Sequence, residues 1–201
     1  MSGFLDKIFQ KKKVVDLVQV ERNATASFEL AQLDRKLLAK LLQDSERYTD
    51  YLYFLSNELN IEQHETRSIE AEFNSVLKYL DIYSRSAEQP IYYTHQYNCD
   101  DSLYELPAFI LFPLIQNAIH WGYNTYDKHP VRIRLKLNEG YLRLEVSNRV
   151  NHYIANQQDT VIMDNYKSRL EMLYGDRYQL IMNSNTNNFK ATLMIQLVAK
   201  S

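Results

Sequence analysis

The chain has 201 residues, 45% of them hydrophobic, with a formal charge of −2 and a pI near 6.2. That is enough apolar material for a real core in one or two domains, and it argues against a general nucleic-acid binder, which needs a basic face to neutralise phosphates. The single Cys99 excludes an internal disulfide and a cysteine zinc cluster; with no apolar run of roughly 18 residues and no signal peptide, the expected location is cytoplasmic.

Residues 1–25 read as a separate N-terminal segment. Phe4, Leu5, Ile8 and Phe9 share one side of a short helical stretch, and Lys11, Lys12 and Lys13 follow at once. Such a face can rest on an anionic membrane or dock on its own domain. Without export, the sequon at Asn23, Ala24 and Thr25 is idle. Residues 26–60 contain neither Gly nor Pro, and Phe28, Leu30, Leu33, Leu37, Leu38, Leu41 and Leu42 recur at three-to-four spacing that continues through Tyr48, Leu52 and Leu55, which predicts one long amphipathic helix. A second helix is predicted over residues 68–84 from Ile69, Phe73, Val76, Leu77, Leu80 and Ile82, with the turn between Asn60 and Arg67. Residues 26–88 therefore read as a helical hairpin. Two helices alone bury little, so the hairpin needs either the following domain or a second copy that completes a four-helix bundle.

A second domain is expected over residues 89–201. Gln89 and Pro90 break the helix, and residues 91–97 are rich in strand formers. Residues 106–122 are apolar on nearly every face, interrupted by Gln116, Asn117 and His120, and predict a buried helix that Pro107 opens and Pro113 kinks or restarts. A buried amide costs about 1–3 kcal/mol unless it is bonded, so Asn117 must meet neighbours or a ligand. Strands over 131–137 and 141–146 are joined by a turn at Asn138, Glu139 and Gly140; residues 149–160 are polar and irregular; a helix over 163–174 stops at Gly175; and 178–182 with 189–198 make a last hairpin. This order predicts an α+β protein, the helical hairpin being followed by an α/β sandwich whose sheet is covered on one side.

Residues 106–122 resemble the N-box helix of LytS-type sensor histidine kinases, in the GHKL ATPase superfamily, whose pattern is roughly P-x-x-L-L-x-P-L-V-E-N-A-I-K-H-G. Pro107, Leu111, Pro113, Leu114, Asn117, Ala118, Ile119 and Gly122 match it in register. Residues 141–148 resemble the family's strand that ends in an asparagine-containing turn. Residues 167–175 resemble its R-L-x-L-L-Y-G segment through Arg169, Leu170, Leu173, Tyr174 and Gly175, and residues 70–85, with Glu72, Tyr79 and Arg85, are similar to the helix joining the two domains. Residues 31–43 follow the spacing of the family's A-Q-I-N-P-H-F-L-F-N-x-L-N motif.

The departures carry the functional expectation. Lys36 stands at the phosphoacceptor histidine, and an ammonium has no free lone pair to attack a phosphate. In the N-box the glutamate is Gln116, the lysine is His120 and the histidine is Trp121, while Asn117, which resembles the magnesium-binding asparagine, is kept. An amide at Gln116 cannot act as a general base, and the lost lysine removes a cation that balances triphosphate. The glycine-rich lid aligns with Thr160, Val161, Ile162 and Met163, where β-branched residues resist a phosphate-cradling backbone. Asn148 stands where related ATPases use an aspartate toward adenine, and its carbonyl can still accept that bond. His64, in a stretch similar to the H-E-x-R-[TS] box of other histidine kinases, is an alternative phosphotransfer residue, although a solvated turn histidine needs no function.

The resemblance and its departures thus imply a degenerate, pseudokinase-like member. It would have no catalytic residues, Lys36 and Gln116 being altered, and a vestigial nucleotide site at Asn117, His120 and Asn148, with Asn117 the metal position should magnesium bind. No cofactor is expected, Mg-ATP being the alternative. The expected partners are a second copy through residues 26–88 and a sensor kinase or response regulator, with no nucleic acid and with a membrane surface reachable only through residues 4–13.

Overall fold

The computed structural model describes residues 16–42, 45–87, 89–99, 104–152 and 160–199. The basic, apolar stretch at residues 4–13 lies outside them. The elements in chain order are α1 (Leu17–Gln32), α2 (Arg35–Leu41), α3 (Ser45–Glu58), β1 (Thr66–Ser68), α4 (Ile69–Ser86), β2 (Tyr93–Asn98), β3 (Glu105–Pro107), α5 (Phe112–Trp121), β4 (Val131–Asn138), β5 (Tyr141–Arg149), α6 (Thr160–Tyr174), β6 (Tyr178–Ser184) and β7 (Asn188–Gln196).

The architecture is α+β, a helical N-terminal part followed by a five-stranded sheet, as expected. The sheet runs β2-β4-β5-β7-β6, with β2 parallel to β4 and the remaining pairs antiparallel. Alternation decides its two faces. Val131, Ile133 and Leu135 of β4, Leu142, Leu144 and Val146 of β5, and Ala191, Leu193 and Ile195 of β7 all point into the core, where α5 and α6 cover them. The intervening residues face outward. At the β4–β5 turn Glu139 and Gly140 both have positive φ, 49° and 79°, the geometry that suits the right-handed twist of a tight hairpin. A separate two-stranded ribbon, β1 with β3, joins the chain before α4 to the chain before α5.

The predicted helix over residues 26–60 is instead three helices. The first starts earlier, at Leu17, where the Asp16 side chain accepts from the Val18 and Gln19 amides. It stops at Gln32, because Leu33 is extended (φ −119°, ψ 98°) and Asp34 opens α2 by accepting from the Lys36 and Leu37 amides at 2.9 and 3.0 Å. An aspartate cap satisfies amides that a continuous helix would have bonded to its own carbonyls, and here it ended the run despite the unbroken apolar spacing.

The buried helix also begins later than predicted. Leu106 and Pro107 belong to β3, so Pro107 does not open the helix; Pro113 sits in the first turn of α5, where the missing N–H costs nothing, so of its two expected effects the helix shows a start there and no kink. Between them residues 108–111 form a tight turn with Phe109 at φ 61°. That unfavourable backbone is held from both sides: Glu72 of α4 accepts from the Phe109 and Leu111 amides, both at 3.0 Å, while Arg169 of α6 donates to the Ala108 and Phe109 carbonyls at 2.6 and 3.3 Å and the Tyr166 hydroxyl donates to the Ile110 carbonyl at 2.8 Å.

Helix α1 packs along α6 and against α5. Phe28 meets the Phe109 ring edge-on at 5.5 Å with the Arg169 guanidinium on its other side, and Asn23 donates to the Ser168 hydroxyl at 3.3 Å. Helix α4 packs on α2 and α3, and its Phe73 reaches His95 and Tyr97 of β2. One apolar core runs from Phe28 to Leu197.

Candidate functional site

Three of the candidate residues come together where the α1–α2 junction lies against the C-terminal half of α5. Gln116, buried among apolar neighbours, donates to the Ala31 carbonyl at 3.1 Å. One turn on, His120 Nε2 lies 2.8 Å from Asp34 Oδ2 with both side chains more than nine-tenths buried. Trp121 follows, and the Lys36 ammonium sits over its ring, 3.8 Å from the centroid. Helical spacing on α5 and the cap at the start of α2 thus bring three of the six candidate residues to one seam.

Asp34 is the hub of that seam. One carboxylate oxygen caps α2 and the other accepts from the Tyr79 hydroxyl at 2.5 Å and from His120. Burial raises its carboxyl pKa, but the bonds from His120, Tyr79 and the Leu37 amide outweigh burial, so the net shift is downward. Tyr79 is pushed well above the ordinary phenol range by burial and by the neighbouring Asp34 charge, which keeps it a donor. The Tyr83 ring lies tilted at 46° to the His120 ring, 5.8 Å between centroids.

A second polar cluster supports the turn before α5. Glu72 has no exposure and pairs with Arg67, whose Nε donates at 2.6 Å, and Arg67 also reaches Glu58 at 2.8 Å. Burial pushes the Glu72 carboxyl up, and Arg67 with the two backbone amides draws it only partly back. Burial lowers Arg169 to about 10, which still leaves it charged at neutral pH.

The remaining candidates stand apart. Asn117 is half-buried on α5, apart from the Asp34 seam. Asn148 is 7% exposed; its Nδ2 donates to the Arg149 carbonyl at 3.0 Å, while its Oδ1 is buried with no donor among the described residues. Gly122 backs it, since a Cβ there would lie 2.3 Å from the Ala118 carbonyl and 2.7 Å from Asn148 Nδ2. His64 lies in the exposed turn before β1, 3.3 Å from the Glu62 carboxylate. Thr160, Val161, Ile162 and Met163, aligned with the lid, form the first turn of α6.

Gln116 and His120, beside Asn117, are bonded to the chain's own carbonyl and carboxylate, and Thr160, Val161, Ile162 and Met163 are helical. Among the described residues no group of three or more His, Cys, Asp or Glu side chains is placed to hold a metal ion. The resemblance named Tyr79 only as part of the joining helix and gave no role to Asp34. Asp34 had a readable signal, an aspartate directly before a helix-forming run; the Asp34–His120 and Glu72–amide contacts span dozens of residues and leave no local trace.

No protein-family model matches the sequence, and no curated protein matches it. Among solved structures the chain is similar to the histidine kinase AdeS of Acinetobacter baumannii (13% identity, 80% of each chain covered, TM-score 0.47). It is likewise similar to the catalytic domain of the histidine kinase ThkA (12% identity, 69% of this chain and 100% of that one, TM-score 0.48). A third similarity is to the histidine kinase domain of a blue-light-activated histidine kinase from Erythrobacter litoralis (10% identity, 90% of this chain and 94% of that one, TM-score 0.48).

Proposed function

We propose that this chain is a non-catalytic, histidine-kinase-like signalling protein, a pseudokinase or scaffold that acts by protein–protein interaction in a two-component-type pathway. The observation that carries the reading is the seam: Gln116, His120 and Lys36, three positions altered from the resembled chemistry, are engaged by the chain's own residues. A general base, a phosphate counter-charge and a phosphoacceptor each need a free, reactive group, and these side chains serve packing instead. The partners are a second copy, through residues 26–88, and a sensor kinase or response regulator, met in the cytoplasm. Leu42, Leu52 and Tyr53, exposed on or beside α2 and α3, supply apolar surface for the self-contact.

The test is a titration of the purified chain with Mg-ATP, read by thermal shift and by transfer of label. The expected result is no stabilisation and no labelled protein; micromolar binding with label taken up would overturn the reading. Asn117 and the unpaired Asn148 Oδ1 favour one second reading, a regulator that keeps nucleotide binding without transfer, and saturable stabilisation without label is its signature.

A further inference from the structure

The total of −2 conceals a segregated surface. On the outward face of the sheet, β4 presents Arg132, Arg134 and Lys136 at alternate positions, β5 presents Arg143 and Arg149, and β7 presents Lys190. Glu145 is the only acidic residue on these three strands, so six cations face one carboxylate, a local +5. Glu145 is already committed, bonded to Arg143 at 2.6 Å and Lys190 at 2.7 Å with Arg134 at 4.0 Å. Arg132 and Arg149 have no carboxylate within 4.0 Å among the described residues.

These two arginines and Lys190 line one cavity of about 260 Å³, together with His129 and Ser147. Arg149 Nη1 lies 2.5 Å from His129 Nε2, a contact that holds the guanidinium in place. Like charges gathered around a hollow repel one another, and of the three only Lys190 is balanced, by Glu145; all three side chains lie on the outward face, away from the core.

We infer that this cavity binds a phosphate-type oxyanion. Two arginine forks and an ammonium, with the Ser147 hydroxyl beside them, suit a group with roughly two negative charges and several acceptor oxygens better than a single carboxylate. The volume exceeds that of a lone phosphate, so the ligand is a phosphate ester or a magnesium-free phosphoanhydride; in Mg-ATP the metal already occupies the oxygens and balances the charge that the arginines would meet. Arg134, Lys136 and Arg143 continue the positive track across the sheet, with the alternate residues of β4 about 7 Å apart, so the same phosphate chemistry can arrive on a small molecule or along a polymer.

The test is calorimetric titration of the full chain at low salt with sodium pyrophosphate and, separately, with a short single-stranded DNA. Saturable pyrophosphate binding is expected, weakened about tenfold by Arg132→Gln or Arg149→Gln and unchanged by Lys167→Gln on α6. These are exposed positions, and circular dichroism confirms that each variant folds. DNA binding that exceeds pyrophosphate binding and also falls in Arg134→Gln and Lys136→Gln assigns the phosphate to a polymer; equal dependence on Arg132 and Arg149 alone assigns it to a small molecule. Absence of binding by both probes, or binding that the arginine variants leave unchanged, overturns the site.

Discussion

At the scale of single residues, Asp34 ties the N-terminal helices to α5. It caps α2, accepts from a buried tyrosine and pairs with His120. Asp34→Ala removes all three and leaves His120 and Tyr79 without their buried partner, at a cost of about 3–5 kcal/mol by urea denaturation. The pH dependence follows from the downward shift of its carboxyl. A group whose folded pKa lies below its unfolded value contributes stability above the unfolded value, 3.8 here, and loses it as pH falls through the folded one. Urea midpoints should therefore be steady near neutrality and drop below about pH 4. In Asp34→Asn that drop should shrink without vanishing, because Glu145, also shifted downward by Lys190 and Arg143, contributes in the same window.

At the scale of elements, α5 depends on the turn before it. Phe109 adopts a positive φ because Glu72, Arg169 and Tyr166 bond the surrounding amides and carbonyls, so two helices distant in sequence set where α5 begins. Glu72→Ala leaves two buried amides without their acceptor and Arg67 with Glu58 alone, and should cost about 3–5 kcal/mol in a chemical denaturation series. Pro113 gives the opposite expectation. As a first-turn residue it breaks no helical bond, so Pro113→Ala should change stability by less than about 1 kcal/mol, whereas a mid-helix proline would be relieved by about 3 kcal/mol. The apolar run over residues 106–122 and the alternation of β4, β5 and β7 were legible, because core burial imposes those periods directly. The break at Leu33 was not: the apolar spacing of helix 26–60 continues across it, and only the Asp34 side chain, held by tertiary partners, stops the backbone bonding.

For the whole molecule, α1 lies on α5 and α6, so part of the predicted first arm belongs to the layer that covers the sheet. Less of the arm remains to meet a second copy, and α3, with Leu52 at 44% and Tyr53 at 65% exposure, becomes the face on which to test self-association. Sedimentation of the full chain should give a dimer, and Leu52→Glu with Tyr53→Glu should give a folded monomer; a monomeric wild type would remove the dimer from the proposal.

By itself the sequence determined the α+β order, the buried helix around Asn117, the covered sheet and the residue types at Lys36, Gln116 and positions 160–163 that depart from the pattern it resembles, since all of these are written in residue type and short-range spacing. Only the tertiary structure decided that Gln116, His120 and Lys36 meet the α1–α2 junction, that Glu72 and Arg169 hold one turn between them, and that a chain of net charge −2 turns six cations to one face. Those outcomes depend on which distant segments share a surface, and local pattern carries no record of that pairing.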